Sequence, residues 1–244
     1  MEVKNHVFYN IEKSAERIQE ILDSNNSNYE DKDKVVTSRD TLTYNNGYYV
    51  NVTALFIDIV GSSKLIEACQ RPTLAKIYRS FISECVAIIS SNSQCREVNI
   101  HGDCVWGIFE TINKTDFDSV FYIAASLNSL VKLINIKLEQ KKYQTISAGI
   151  GMDYGRTLMI QAGYKGSSLN EVVWMGNVVN NACHLANKAG RDSREPIIVT
   201  SVIYNSLNAH NQSLLYSYYD SEYGCRNYEG NVISRSMEEW INNN

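Results

Sequence analysis

The sequence predicts an α/β domain of the split β-α-β kind, and three observations carry that prediction. The segment from Tyr48 to Val60, YYVNVTALFIDIV, reads as a strand whose second half is apolar almost without a break, as in a strand buried on both faces. Two long stretches, Leu74 to Ile89 and Phe117 to Lys141, carry apolar residues at helical spacing. Short strand-like runs joined by glycine-bearing turns stand between and after them.

Taken in order, Tyr9 to Leu22 places Ile11, Ala15, Ile18, Ile21 and Leu22 in a helical rhythm, which predicts an amphipathic helix. The polar run DSNNSNYEDKDK ends it as a linker, so residues 1–47 are expected to be helix and linker and residues 48–244 one domain. After the apolar strand, Gly61-Ser62-Ser63 opens a helix over Leu65 to Ala68, and Ile77, Phe81, Ile82, Cys85, Ile88 and Ile89 form the stripe of the next. Val98 to Ile100 and Val105 to Phe109 make a hairpin around His101-Gly102-Asp103-Cys104. A helix over Phe117 to Lys141 ends in the polar tail KLEQKK. TISAGIGMDYG and RTLMIQAGY are expected to be two strands with a turn at Gly155. NVVNNACHLANKAG reads as a helix ended by Gly190, PIIVTSVIYNSL as a strand running into a short helix, and LLYSYYDSEYGCRNYEG as a closing strand pair.

With 244 residues, 44% of them hydrophobic, the chain can bury a substantial core. A net charge of -4 and a pI near 5.6 offer no global basic field, which argues against a nucleic-acid binder. Six scattered cysteines show no C-x-x-C pair and read as reduced thiols. No apolar run approaches the ~20 residues of a membrane span, and the charged N-terminus does not resemble a signal peptide, so a cytoplasmic protein without a membrane partner is expected.

The chemistry concentrates at one sheet edge. Asp58 ends the buried strand and Asp103 sits at the hairpin tip; the bland reading of Gly102-Asp103 is a good turn dipeptide, since glycine tolerates positive φ and aspartate caps its own backbone. Pairing the hairpin beside the strand brings the two carboxylates together, where they repel unless a cation sits between them. Oxygen ligands suit Mg2+ or Mn2+ better than zinc. The helix start at Gly61, Ser62 and Ser63 offers N–H groups to a phosphate, so metal and cradle together suggest a nucleoside triphosphate.

LFIDIVGSSKL, VNIHGDCVWGIF and WMGNVVNNACHLANKAG fall in the order of three motifs of the class III nucleotidyl cyclases, a resemblance covering roughly Asn51 to Leu207. The resemblance implies a ferredoxin-like domain, a mixed sheet flanked by helices, paired head to tail with a second copy in a homodimer whose two active sites are shared. It also implies two divalent cations per site, held by Asp58, Asp103 and the carbonyl of Ile59, with attack of the ribose 3′-hydroxyl on the α-phosphorus and loss of pyrophosphate. Asn180 matches the family's ribose-orienting asparagine. Four positions on, where the family usually has a transition-state arginine, this chain has His184; Lys188, Arg191 and Arg194 are nearby sources of charge.

The base pocket departs from the family as well. Adenylate-type enzymes carry a lysine where Asn99 stands and an aspartate or threonine where Val173 stands; guanylate-type enzymes use glutamate and cysteine. The Asn99 amide both donates and accepts, which suits a smaller ring, and a site discriminates by leaving wrong polar groups unpaired. In this the chain resembles the Pycsar pyrimidine cyclases of bacterial anti-phage defence, whose cyclic UMP or cyclic CMP is read by a separate effector protein. The expectation is therefore a cyclase using UTP or CTP. The alternatives are a purine cyclase with an atypical pocket, or a degenerate domain that binds nucleotide without turnover. Trp174, near the pocket, is read as core.

Overall fold

The computed structural model describes residues 8–35, 41–164 and 170–244. Its elements are α1 (Ile11–Leu22), β1 (Tyr29–Asp31), β2 (Gly47–Ile59), α2 (Ser62–Ala68), α3 (Arg71–Ser90), β3 (Cys95–His101), β4 (Cys104–Phe109), α4 (Lys114–Gln140), β5 (Ala148–Gly163), β6 (Asn170–Met175) and α5 (Asn177–Lys188). There follow β7 (Ile197–Thr200), α6 (Ser201–Ser206), α7 (Ala209–Ser213), β8 (Tyr216–Asp220), β9 (Cys225–Gly230) and α8 (Arg235–Asn243). The chain divides into two compact units, Val52–Gly155 with Val178–Asn244 and Met1–Asn51 with Arg156–Asn177, so the boundaries fall inside β2 and β5.

The larger unit is the mixed α/β arrangement expected. Its strands run in the order β3-β4-β2-β5-β7-β9-β8. β2 pairs antiparallel with β4 from Thr53↔Phe109 to Ile57↔Val105, whereas β5 and β7 run parallel from Ile150↔Ile197. The apolar half of β2 is buried as its sequence requires, with Leu55, Ile57 and Ile59 in one core beside Ile77, Phe81 and Cys85 of α3 and Phe121 and Leu127 of α4. The α4 helix starts on a capping box in which Asn113 N–H donates to Asp116 Oδ2 at 2.8 Å. By length and composition alone α4 is apolar enough to cross a membrane, yet Phe117, Val120, Phe121 and Leu127 bury it against the sheet.

Gly149 and Gly151 explain the GIG spacing, because a Cβ at either would stand 2.2 Å from a carbonyl oxygen of α5. That close approach sets α5, and the loop after it, against the sheet.

The turn expected at Gly155 is absent. β5 continues unbroken through it, and the glycine admits close approach of Val178, whose Cγ2 lies 3.0 Å from where a Cβ would stand. In the smaller unit β5 instead pairs with β6, from Leu158↔Met175 to Gly163↔Asn170, a strand the sequence reading did not assign. β1 joins the start of β2 in parallel within the run read as linker, and Arg156 donates to Asp31 at 2.8 Å while stacking over Tyr49. α1 forms as expected and buries none of its residues.

Candidate active site

The β3–β4 hairpin closes through two residues, Gly102 and Asp103, between the paired His101 and Cys104. Gly102 has φ +64°, the left-handed conformation that the first position of a II′ turn demands. The register Ile57↔Val105 then brings Asp103 to the end of β2, beside Asp58. Asp58 is perturbed: burial first, and then the charge of Asp103, push its carboxyl above the ordinary range, with Arg191 pulling the other way. Asp103 Oδ2 is buried with no hydrogen-bond partner. An orphaned carboxylate oxygen beside a second carboxylate is the kind of oxygen donor set a hard cation takes, so the residues fit a divalent ion.

Among the described residues no three His, Cys, Asp or Glu side chains cluster to hold a metal by themselves, so backbone oxygen has to complete the shell. The carbonyl of Ile59 is the candidate the sequence names. It accepts from Arg191 Nη2 at 3.4 Å, and the same nitrogen donates to Asp58 Oδ2 at 3.1 Å. The guanidinium therefore rests on the two oxygens expected to face a cation, tethered by its other nitrogen to the carbonyls of Ala186 and Ala189.

Cys104 and Cys183 flank the carboxylates as neutral thiols. Burial, followed by the charge of Asp58, pushes Cys104 up to about 12 and raises Cys183 as well. Tyr78 of α3 also belongs here: burial first, then Asp103 and Asp58, raise its phenol, while a hydrogen bond with Ser62 opposes the shift. Sequence reasoning missed Tyr78 because it counted only the apolar stripe of α3; its place one residue after Ile77, on the flank of that stripe, was the available signal. Gly61 caps α2 with φ +68°, leaving the N–H groups of Ser62 and Ser63 without acceptors inside the helix.

Other expected residues lie elsewhere. His184 hydrogen-bonds through Nδ1 with Tyr223 Oη at 3.2 Å, and burial together with Lys188 lowers its imidazole below the usual histidine range. Lys188 is bound to both oxygens of Asp220 at 2.8 Å and to Glu222 at 2.8 Å, and Arg194 to Glu229 at 3.0 Å. Of the three cations near the end of α5, only Arg191 reaches the carboxylate pair. Asn180 is exposed on α5. Asn99 donates to Glu97 Oε1 at 3.0 Å on β3, and Val173 is half-exposed on β6 in the smaller unit. Trp174 is buried, as its reading as core required.

Residues 45–228 match the model of the adenylate and guanylate cyclase catalytic domain. The chain is 35% identical over 201 residues to a protein from Treponema porcinum named uridylate cyclase, covering 82% of this chain and 70% of that one. It is 38% identical over 210 residues to another of that name from Gulbenkiania mobilis, covering 83% and 81%. In fold it is similar to an adenylyl cyclase from P. aeruginosa, with TM-score 0.65, 17% identity and coverage of 78% of this chain and 97% of that one.

Proposed function

Because this chain belongs to the adenylate and guanylate cyclase catalytic domain family, we propose that it converts a pyrimidine triphosphate, UTP, to the 3′,5′-cyclic monophosphate and pyrophosphate. The relatives from T. porcinum and G. mobilis named uridylate cyclase support the base choice, and Asn99 and Val173 depart from both purine patterns in the same direction. The single observation that carries the reaction is the convergence of Asp58 with Asp103, whose buried Oδ2 has no partner.

Asp58, Asp103 and the Ile59 carbonyl would hold two divalent ions, Mn2+ or Mg2+, which would supply Lewis-acid activation of the ribose 3′-hydroxyl and neutralise triphosphate charge. The chain's own groups do the positioning. The N–H groups of Ser62 and Ser63 receive phosphate oxygens. Arg191, anchored on the Ala186 and Ala189 carbonyls, brings its guanidinium to Asp58, where it would carry positive charge toward the departing pyrophosphate. The hydroxyl oxygen bonds the α-phosphorus as the bond to the bridging oxygen of pyrophosphate breaks, and the hydroxyl proton leaves to solvent. Head-to-tail pairing with a second copy adds Asn180, His184, Asn99 and Val173 to the site from the partner side, and the product serves a separate effector in anti-phage signalling.

Incubation with Mn2+ and each of ATP, GTP, CTP and UTP, with products resolved by mass spectrometry, tests this. Cyclic UMP is expected; cyclic AMP or cyclic GMP as the main product would overturn the base assignment.

A further inference from the structure

Phe56 and Trp106 form an aromatic pair that the carboxylate chemistry does not use. Alternation along β4 turns Val105 and Phe109 into the core beneath α3 and α4, and a Cβ at Gly107 would stand 2.6 Å from Ile89 of α3. Trp106 therefore points from the opposite face of the sheet. β2 alternates in step, with Leu55 and Ile57 in the core and Phe56 and Asp58 on the face of Trp106. Asn99 of β3 pairs directly with Trp106 and belongs to that face as well.

The register makes these side chains a row. Phe56↔Trp106 and Asn99↔Trp106 are each directly opposed, which puts neighbouring Cβ atoms about 5 Å apart. Phe56 is only 5% exposed and stacks on the indole, ring centroids 5.0 Å apart and planes within 2°, so it fixes the plane in which the indole stands. Trp106 itself stays half-buried, and among the described residues its Nε1–H donates to no group. On the other side of the indole, Asn99 is held by one hydrogen bond, Nδ2 to Glu97 Oε1 at 3.0 Å, and its Oδ1 accepts from no described residue.

A base recognised by the Asn99 amide has to lie against the indole, because the two are cross-strand neighbours. An open acceptor at Oδ1 beside an open donor at Nε1 matches the edge of a pyrimidine, where an N–H adjoins a carbonyl or a ring nitrogen. Purines offer a similar edge, so hydrogen bonding alone does not separate them; size does. With Phe56 packed behind it, the indole has no room to swing toward β2, and the second ring of a purine collides with it.

Building on the cyclase reading, we infer that Trp106 is a specificity-determining residue: its indole, held upright by Phe56 beside Asn99, closes the base subsite to a second ring.

Rates of cyclic product formation with Mn2+ and either UTP or ATP, in the wild type, Trp106→Ala and Trp106→Phe, test this. Trp106→Ala is expected to raise the ATP-to-UTP ratio of kcat/KM about tenfold or more, through a gain for ATP. Trp106→Phe keeps a ring in the wall and still excludes ATP, while loss of the N–H raises KM for UTP a few-fold. If Trp106→Ala misfolds by circular dichroism, Trp106→Leu replaces it and has to move the ratio the same way. Equal losses for both nucleotides, with the ratio unchanged, would mean lost packing and overturn the filter. A readout without turnover is the tryptophan fluorescence on titration with 3′-deoxy-UTP, which lacks the attacking hydroxyl. A saturable change is expected in the wild type and is absent from Trp106→Phe, although Trp174 and Trp240 remain; the same change in both proteins overturns the contact. A wild type that forms no cyclic nucleotide from any triphosphate overturns the cyclase reading, whereas cyclic UMP from the wild type with an unmoved ratio in Trp106→Ala overturns the filter alone.

Discussion

Two clusters of acid and base lie three residues apart, at Lys188 and Arg191 where α5 ends, and they resolve their charge in opposite ways. At Lys188, the buried Asp220 carboxylate has both oxygens bound to one ammonium, with Glu222 on the same cation; burial opposes the charge, yet Lys188 outweighs it and holds Asp220 below the usual carboxylate range. At Arg191, one guanidinium nitrogen serves Asp58 and a carbonyl, Asp103 keeps an orphaned oxygen, and Asp58 is raised. The first cluster is a finished structural joint. The second leaves its charge unbalanced, with Asp58 raised and an Asp103 oxygen unpartnered, and that contrast separates a candidate site from a strut made of the same residue types.

The largest effect expected from this contrast is on turnover. Asp103→Ala and Asp58→Ala each lower cyclic product formation by about a thousandfold or more, with the circular dichroism spectrum retained. Product formation at an unaltered rate in either variant would break the contrast at its functional end.

Next comes Lys188→Met, which leaves Asp220, with a side chain only 3% exposed, unpaired. Since Lys188 is itself a quarter exposed, the cost is about 1–3 kcal/mol, or several degrees in thermal midpoint. Mn2+ affinity stays where it was. The complementary change, Asp103→Asn, removes repulsion instead of attraction, so the metal-free midpoint rises by about 2–4 °C, and the increment that Mn2+ adds to the wild type disappears.

The two clusters also respond to pH with opposite sign. Asp58 has a folded value above its unfolded one, so it favours the fold below the ordinary carboxylate range and loses that advantage as pH rises through the raised value. Asp220 has a depressed folded value, so its contribution is present above the ordinary range and lost as pH falls through the depressed one. Thermal midpoints in EDTA carry a component that falls with rising pH in the wild type and is missing from Asp58→Asn. Added Mn2+ stabilises progressively more across the same window. The smallest effect is Tyr78→Phe, which removes the hydroxyl shared with Ser62 and raises KM a few-fold with little change in stability.

Much of this was legible in the sequence for a physical reason. The buried half of β2, the stripe of α3 and the Gly102 turn are encoded locally, in periodicity and in a conformation that glycine adopts readily, so the carboxylate pair could be placed before any coordinates. The misreading at Gly155 has the opposite cause. There the glycine answers to Val178, far along the chain, and a local rule read close packing as a turn. β6 escaped because its alternation is short and pairs with β5 across residues 165–169, which lie outside the described ones. Arg191 was one of three equivalent cations by spacing; only the fold of the loop after Gly190 selects it, just as only tertiary packing brings Tyr78 and Cys183 to the same edge.

Titration of Mn2+ followed by electron paramagnetic resonance, with and without UTP, on the wild type and Asp103→Asn bears most directly on the carboxylate pair. The account predicts saturable binding in the wild type, strengthened by UTP, and at least about a tenfold loss in the variant. Equal Mn2+ affinity in the two proteins would contradict it, because the orphaned oxygen of Asp103 would then have no cation to hold.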